Sequence, residues 1–219
     1  MDKRIATNLN NFANHAFFGR QGGVSKKPYD SLNTCYLRGD EKAFVDENRA
    51  RICQNLGINA IYTLKQVHSA KAVRVFAKDD LKKVSLLEAD AIWTTDNIAI
   101  GVHTADCAPI LVASDDKVAI AAIHAGWRGA VAGIALKTIE EMSNILGLPK
   151  NRFIASIGPC IGFDAFEVGP EVVEEAKKYA AVLGYNYPGS DWYKYSYEMM
   201  QGNLSPEEKK STFDKYLKF

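Results

Sequence analysis

Between residues 89 and 124 the chain carries four short apolar runs: ADAIWTT (89–95), IAIGV (98–102), PILVA (109–113) and VAIAAIH (118–124). Each is closed by turn residues, and apolar runs of this length without polar alternation are strands covered on both faces. Any fold that contains them must supply a layer on either side of a sheet. AIYTLKQV (60–67), AVRVF (72–76) and RFIASIG (152–158) add further strand patterns, with a polar segment at 77–88. Asp115-Asp116 predicts a tight turn between two of the runs. Residues 40–56 read as a helix capped by Asp40, with Phe44, Ile52 and Leu56 toward the core and Gly57 at its end. Residues 129–146 read as a second helix, because Val131, Ile134, Leu136, Ile139, Met142 and Leu146 recur near the 3.6-residue period and Gly147 can follow it. Pro170 opens EVVEEAKKYAAVL (171–183), and Ser205-Pro206-Glu207-Glu208 is a capping-box opening for a last helix. The expected class is α/β (mixed α+β), a single domain over 1–219, with no dinucleotide fingerprint and no P-loop.

A chain of 219 residues buries enough surface to fold without a disulfide or metal staple. Its formal charge of +1 gives no electrostatic footprint for nucleic acid or an anionic membrane surface, so neither is an expected partner. Cys35, Cys53, Cys107 and Cys160 form no C-x-x-C pair, which excludes zinc-ribbon and thioredoxin-like readings. The amino-terminal segment lacks the apolar core of a secretory signal, and no apolar stretch approaches the ~20 residues of a membrane span. The expectation is a cytoplasmic protein, a monomer or small homo-oligomer.

Three segments place polar side chains within or at the ends of apolar strands: KQVHS (65–69), VHTADCAPI (102–110) and IHAGWRG (123–129). Buried polar groups there need partners. His68, Cys107 and His124 all fall at predicted strand ends, where distant segments can converge. Two imidazoles and a thiolate suit a zinc ion that keeps a fourth position open. The same atoms also allow a Cys107 nucleophile with His124 as base, and they allow plain buried residues. Asp106 is a poor orienter for that base, since neighbours on a strand face opposite ways. Arg128 stands where a helix is expected to begin near Gly129, a place suited to an anion. Arg20 lies in GRQGGVSKKPYDSLN (19–33), a long Gly-rich loop that allows close approach to a ligand. His103 is about 13 Å from Cys107 if the strand is straight, so it is expected to support the site or the core rather than to ligate.

GRQGGVSKKPYDSLN (19–33), KQVHSAKAV (65–73), ADAIWTT (89–95), HTADCAPILVAS (103–114), HAGWRGAVAGI (124–134) and IGPCIGFDAFEVGPEV (157–172) together resemble the YfiH-like family, long labelled the multicopper polyphenol oxidase (laccase) domain family. The resemblance runs in order over about residues 16–175. It implies sandwich-like mixed β-sheets flanked by helices. It also implies zinc held by the residues matching His68, Cys107 and His124. The implied activity is purine nucleoside phosphorylase, acting on a purine nucleoside and phosphate. Adenosine deaminase and methylthioadenosine phosphorylase activities accompany it, and Arg128 and Arg20 are candidate substrate contacts. The older label implies copper-dependent polyphenol oxidation, but four histidines cannot supply both a blue-copper site and a histidine-rich trinuclear site. A single blue copper remains an alternative to zinc. One departure stands out: the Cys-Thr segment and Ser-Tyr-Arg-type ending usual in the family are not recognisable in 188–219. That leaves a further alternative, a catalytically dead module that binds metal or nucleoside.

Overall fold

The computed structural model describes residues 1–162, 165–172, 174–176 and 178. The chain divides into two compact units, Met1–Ala165 and Phe166–Phe219. In the second, helical backbone begins at Pro170, as expected, and is described at 170–172, 174–176 and 178; the rest of the expected segment to 183, and the helix expected from Ser205, lie outside the described residues.

The first unit is organised around a five-stranded mixed sheet. Its strands are β4 (Ala72–Arg74), β5 (Ala91–Thr94), β7 (Ala108–Ser114), β8 (Ile120–Ala125) and β9 (Phe153–Ile157), in the order β4-β5-β8-β7-β9. Only β4 and β5 run parallel. The turn at Asp115-Asp116 joins β7 to β8 as a hairpin, as its sequence predicted. Every residue of β5 and all but the first of β8 are buried, because both faces of the sheet are covered. On one face Trp93, Val112, Ala121 and Ile123 pack with Ile134 and Met142. On the other, Ile92 and Ala122 pack with Tyr62, Leu64, Val75 and Val84.

The IAIGV run does not join this sheet. Its β6 (Ala99–Ile100) pairs in parallel with β3 (Ile61–Tyr62) as a separate two-stranded layer. Ile98, Ile100 and Val102 pack over the second core, so the run is apolar because it covers the sheet. AIYTLKQV is likewise shorter as a strand than its pattern suggested: pairing stops at Tyr62, apart from a single bridge from Lys65 to Glu88. The remaining small elements are β1 (Lys3–Arg4) paired with β2 (Phe17–Phe18), and the one-turn helix α2 (Leu81–Val84), capped by the Asp80 carboxylate.

Helix α1 (Lys42–Leu56) matches the expected 40–56, and Gly57 ends it at φ 67°, a backbone state that costs glycine little. Its cap is Glu41 rather than Asp40, whose carboxylate instead accepts from Ser25 Oγ and Asn33 Nδ2. Ile52 is buried, but the other buried positions are Val45 and Asn48 rather than Phe44 and Leu56. The helix expected at 129–146 is two helices, α3 (Trp127–Val131) and α4 (Ile134–Leu146), separated where Gly133 turns at φ 74°. Leu136 is half exposed because the buried stripe of α4 runs through Ile134, Thr138 and Met142.

Asn48 fixes the 19–33 loop to α1. Its Nδ2 donates to Ser25 Oγ, Ser31 O and Asn33 O, and its Oδ1 accepts from Val24 N. If the amide is removed, Val24 N and Asn33 O lose this partner, whereas Ser31 O keeps Ser25 N and Ser25 Oγ keeps Asp40. Asn48→Ala should therefore lower stability by about 2–4 kcal/mol. Chemical denaturation measures the loss, and limited proteolysis should show new cleavage within 19–33.

Candidate metal centre

His68, Cys107 and His124 come together. Their ligand atoms all lie within 4.8 Å of one another, and the two imidazole rings meet edge to face with centroids 4.9 Å apart. The sheet register explains two of the three. Pro109 pairs with His124, and Leu111 pairs with Ala122, which packs in the core on the β3–β6 side. Alternation therefore carries Cys107, just before β7, onto the face that His124 occupies.

His68 arrives differently. It sits in a loop at φ 61°, unusual for a residue with a side chain. The cause is Asp90, which is fully buried just before β5. Its carboxylate accepts from the backbone N–H groups of Val67 (3.2 Å), His68 (2.9 Å) and Ser69 (2.6 Å) and from Ser69 Oγ (2.8 Å). Successive N–H groups turned toward one anion form a nest, and that turn takes KQVHS off the strand path. The same carboxylate lies 2.8 Å from His124 Nδ1, while His124 N donates to Asp90 O. With Nδ1 committed to Asp90, Nε2 of His124 is left for a ligand. Asp90 feels burial, which raises its pKa; the hydrogen bonds from His124, Ser69 and His68 outweigh this and hold it below the usual carboxylate value.

Space for the trio is made by Gly126. A methyl there would lie 2.8 Å from His68 Cδ2 and 3.2 Å from Cys107 Sγ. Burial, then the neighbouring His124, lowers the pKa of His68 and favours the neutral, metal-binding imidazole. Burial, then the charges of Asp106 and Asp90, raises that of Cys107. A thiol pushed up in this way is a poor free nucleophile, whereas a bound cation offsets those anions. Two imidazoles and one thiolate fit zinc with an open fourth position, and the donor set alone leaves copper possible.

A groove of about 880 Å³ is lined by Arg20, Arg38, Arg49, His103, Asp106 and Pro109 among others; the trio is not part of its lining, but Asp106 adjoins Cys107 in the chain. Arg20 lines it but is tied to the 19–33 loop through Asp30, at 2.7 Å to the carboxylate. Arg49 donates to Thr34 O, Ile61 O and Thr63 Oγ1. Arg38 makes no side-chain hydrogen bond among the described residues, and its charge acts on both His68 and Cys107. Arg128 is exposed, stacks on Trp127 at 4.3 Å and also acts on His68. The helix it was expected to precede instead starts at Trp127 and runs five residues, too short for an anion site at its start. His103, which lines the groove, faces Thr34, whose Oγ1 is 2.8 Å from Nδ1, and its backbone exchanges two bonds with the Gln66 amide.

The family described as Multi-copper polyphenol oxidoreductase laccase matches residues 14–205. The chain belongs to this family. A purine nucleoside phosphorylase of Deinococcus radiodurans is 40% identical over 173 residues, covering 78% of this chain and 64% of the relative. A protein named adenosine deaminase RL5, from an unknown prokaryotic organism, is 37% identical over 172 residues, covering 74% and 65%. The crystal structure of a Bacillus licheniformis hypothetical protein YfiH superposes with a TM-score of 0.68 at 26% identity, covering 72% of this chain and 62% of that one. The chain thus spans less than two thirds of the length of each. The YfiH-like assignment and its mixed α/β fold hold. Among the described residues no helix is long and apolar enough to cross a membrane.

Asp90, Gly126, Arg38 and Arg49 were not singled out in the sequence. Asp90 had a signal, a carboxylate directly before a fully apolar strand, which cannot be buried without donors. Asp90→Asn should weaken zinc binding about 10–100-fold, measured by competition with a chromophoric chelator. A separate effect concerns His103, whose pKa is pushed down to about 4 by burial and then by Arg49. The folded pKa lies below the unfolded one, so this stability is present above pH ~6.5 and is lost as pH falls toward 4. His103→Gln should flatten that acid limb by about 1–3 kcal/mol in denaturation curves taken across the range.

Proposed function

We propose that the protein is a zinc-dependent purine nucleoside phosphorylase. It would convert adenosine or inosine and phosphate to free base and ribose 1-phosphate, with adenosine deamination and methylthioadenosine phosphorolysis as side activities. The observation that carries this reading is that Asp106 and Pro109, on either side of Cys107 in the chain, line a groove while Cys107 itself converges with two imidazoles. The groove volume is in the range of pockets that take a molecule of nucleoside size. The names of the relatives support the same substrates.

In this mechanism the nucleoside lies along the groove and phosphate sits between it and the basic side chains. Arg38 and Arg128 hold the phosphate as charge-assisted partners, and Arg20 shapes the wall from its anchored position. A phosphate oxygen attacks C1′ of the ribose while the bond from C1′ to the purine nitrogen breaks, its electron pair leaving with the base. Asp90 keeps His124 fixed in one tautomer and orientation throughout. Asp106, one of the carboxylates on the groove wall and the one next to Cys107, accepts from ribose hydroxyls. Zinc, when bound by His68, Cys107 and His124, would supply a Lewis acid.

Copper-dependent phenol oxidation is less well supported. His15 is bonded to the backbone of Ala6 and Ala13, and His103 to Thr34, so two of the four histidines are committed away from the trio. A single copper with this donor set would be intensely coloured, and the zinc protein is expected to be colourless. We further propose a cytoplasmic monomer or small homo-oligomer without nucleic-acid or membrane partners.

Adenosine incubated with zinc-loaded protein should give adenine and ribose 1-phosphate only when phosphate is present, and inosine with or without it. Absence of all turnover would instead favour a binding module. Arg38→Ala should raise KM for phosphate about 10-fold or more, read from initial rates over a phosphate series.

A further inference from the structure

Cys160 has no place in the proposed reaction, yet the fold sets it against Cys107. Strands β7 and β9 run antiparallel with Ile110 opposite Ile157, and the same count, carried three residues past that last pair, brings Cys107 and Cys160 level. The segments that lead out of the two strands stay in contact. Gly158 N donates to Pro109 O at 2.8 Å, and Ile161 N donates to Asp106 O at 2.9 Å. These bonds bracket the two cysteines on either side. The two bonds hold the short stretches that carry the cysteines side by side, the neighbourhood in which a disulfide's Cα–Cα span of about 4.4–6.8 Å is reached. The charge on Cys160 also reaches the Cys107 thiol. Cys160 is exposed and Cys107 half-buried, so a reagent in solution reaches the first before the second. Cys160 is not among the residues whose ligand atoms converge, which argues against a fourth metal ligand.

We propose that Cys107 and Cys160 form a reversible disulfide that removes the sulfur ligand from the metal centre. This rests on Cys107 being a ligand. With a low-molecular-weight disulfide such as glutathione disulfide, the Cys160 thiolate attacks one sulfur, forms a mixed disulfide and releases one glutathione. Cys107 then displaces the second glutathione. The two protein thiols are oxidised, the glutathione disulfide is reduced to two thiols, and no other reactant is needed. Bound zinc occupies the Cys107 sulfur and blocks the second step. Metal loading and disulfide formation therefore exclude each other.

The test treats the full chain, metal-free and zinc-loaded, with glutathione disulfide. Peptide mapping and zinc content are the readouts. The metal-free protein should yield the Cys107–Cys160 disulfide and then fail to take up zinc until it is reduced. Stoichiometric zinc should slow the reaction at least about 10-fold. Cys107→Ser should stop at a glutathione adduct on Cys160, and Cys160→Ser should bind zinc as the unsubstituted chain does. A glutathione adduct persisting on Cys160 in the metal-free unsubstituted protein would overturn the proposal. So would a disulfide involving Cys35 or Cys53, or a Cys107–Cys160 disulfide that forms at the same rate with zinc bound. None of these readouts depends on turnover, so loss of phosphorolysis with the expected exchange chemistry would count against the proposed reaction alone.

Discussion

The Asp90 carboxylate is the interaction on which the site depends. It is buried without exposure, and its oxygens are met by three consecutive backbone N–H groups, one hydroxyl and one imidazole. An ionised carboxylate is expensive to bury unless its charge is met by donors of this kind. Satisfying it draws residues 67–69 into a nest, gives His68 its left-handed backbone and sets the orientation of His124. One anion thus joins a loop to a central strand and turns two separate imidazoles toward one point. The trio is positioned by the charge balance of the fold.

The rest of the first unit makes that arrangement rigid. β5 and β8 are buried on both faces, with α4 packed on one side and the β3–β6 pair on the other. Asn48 secures the 19–33 loop from below, and Asp30 holds Arg20 to the same loop. The groove wall is therefore built from a tethered loop rather than a free one. Two guanidiniums, Arg20 and Arg49, are held in structural bonds, whereas Arg38, which also lines the groove, makes no side-chain hydrogen bond among the described residues.

Much of the site was legible in the sequence, and the reasons are physical. Polar residues stranded at the ends of apolar runs have few explanations, which led to His68, Cys107 and His124. Period-two alternation removed Asp106 as an orienter, while the shared face of Cys107 and His124 came only from the β7–β8 register. What alternation could not give was the long-range partner: Asp90 is separated from both imidazoles in sequence, and only the pairing of β5 with β8 brings it beside His124. The helix at 129–146 was read as continuous because its apolar period passes through Gly133, whose positive φ breaks it. IAIGV was read as one of the sheet strands because a run covering a sheet and a run inside one have the same composition. The expectation for 188–219 concerns residues outside those described.

The central claim is that His68, Cys107 and His124 hold one zinc ion. X-ray absorption at the zinc edge, on protein purified without added metal and then loaded with one equivalent, tests it most directly. The account predicts one zinc per chain with two imidazole nitrogens and one sulfur in its first coordination sphere, the donor set of the trio. A zinc environment without sulfur, or a chain that takes up copper with this donor set in preference to zinc, would contradict it.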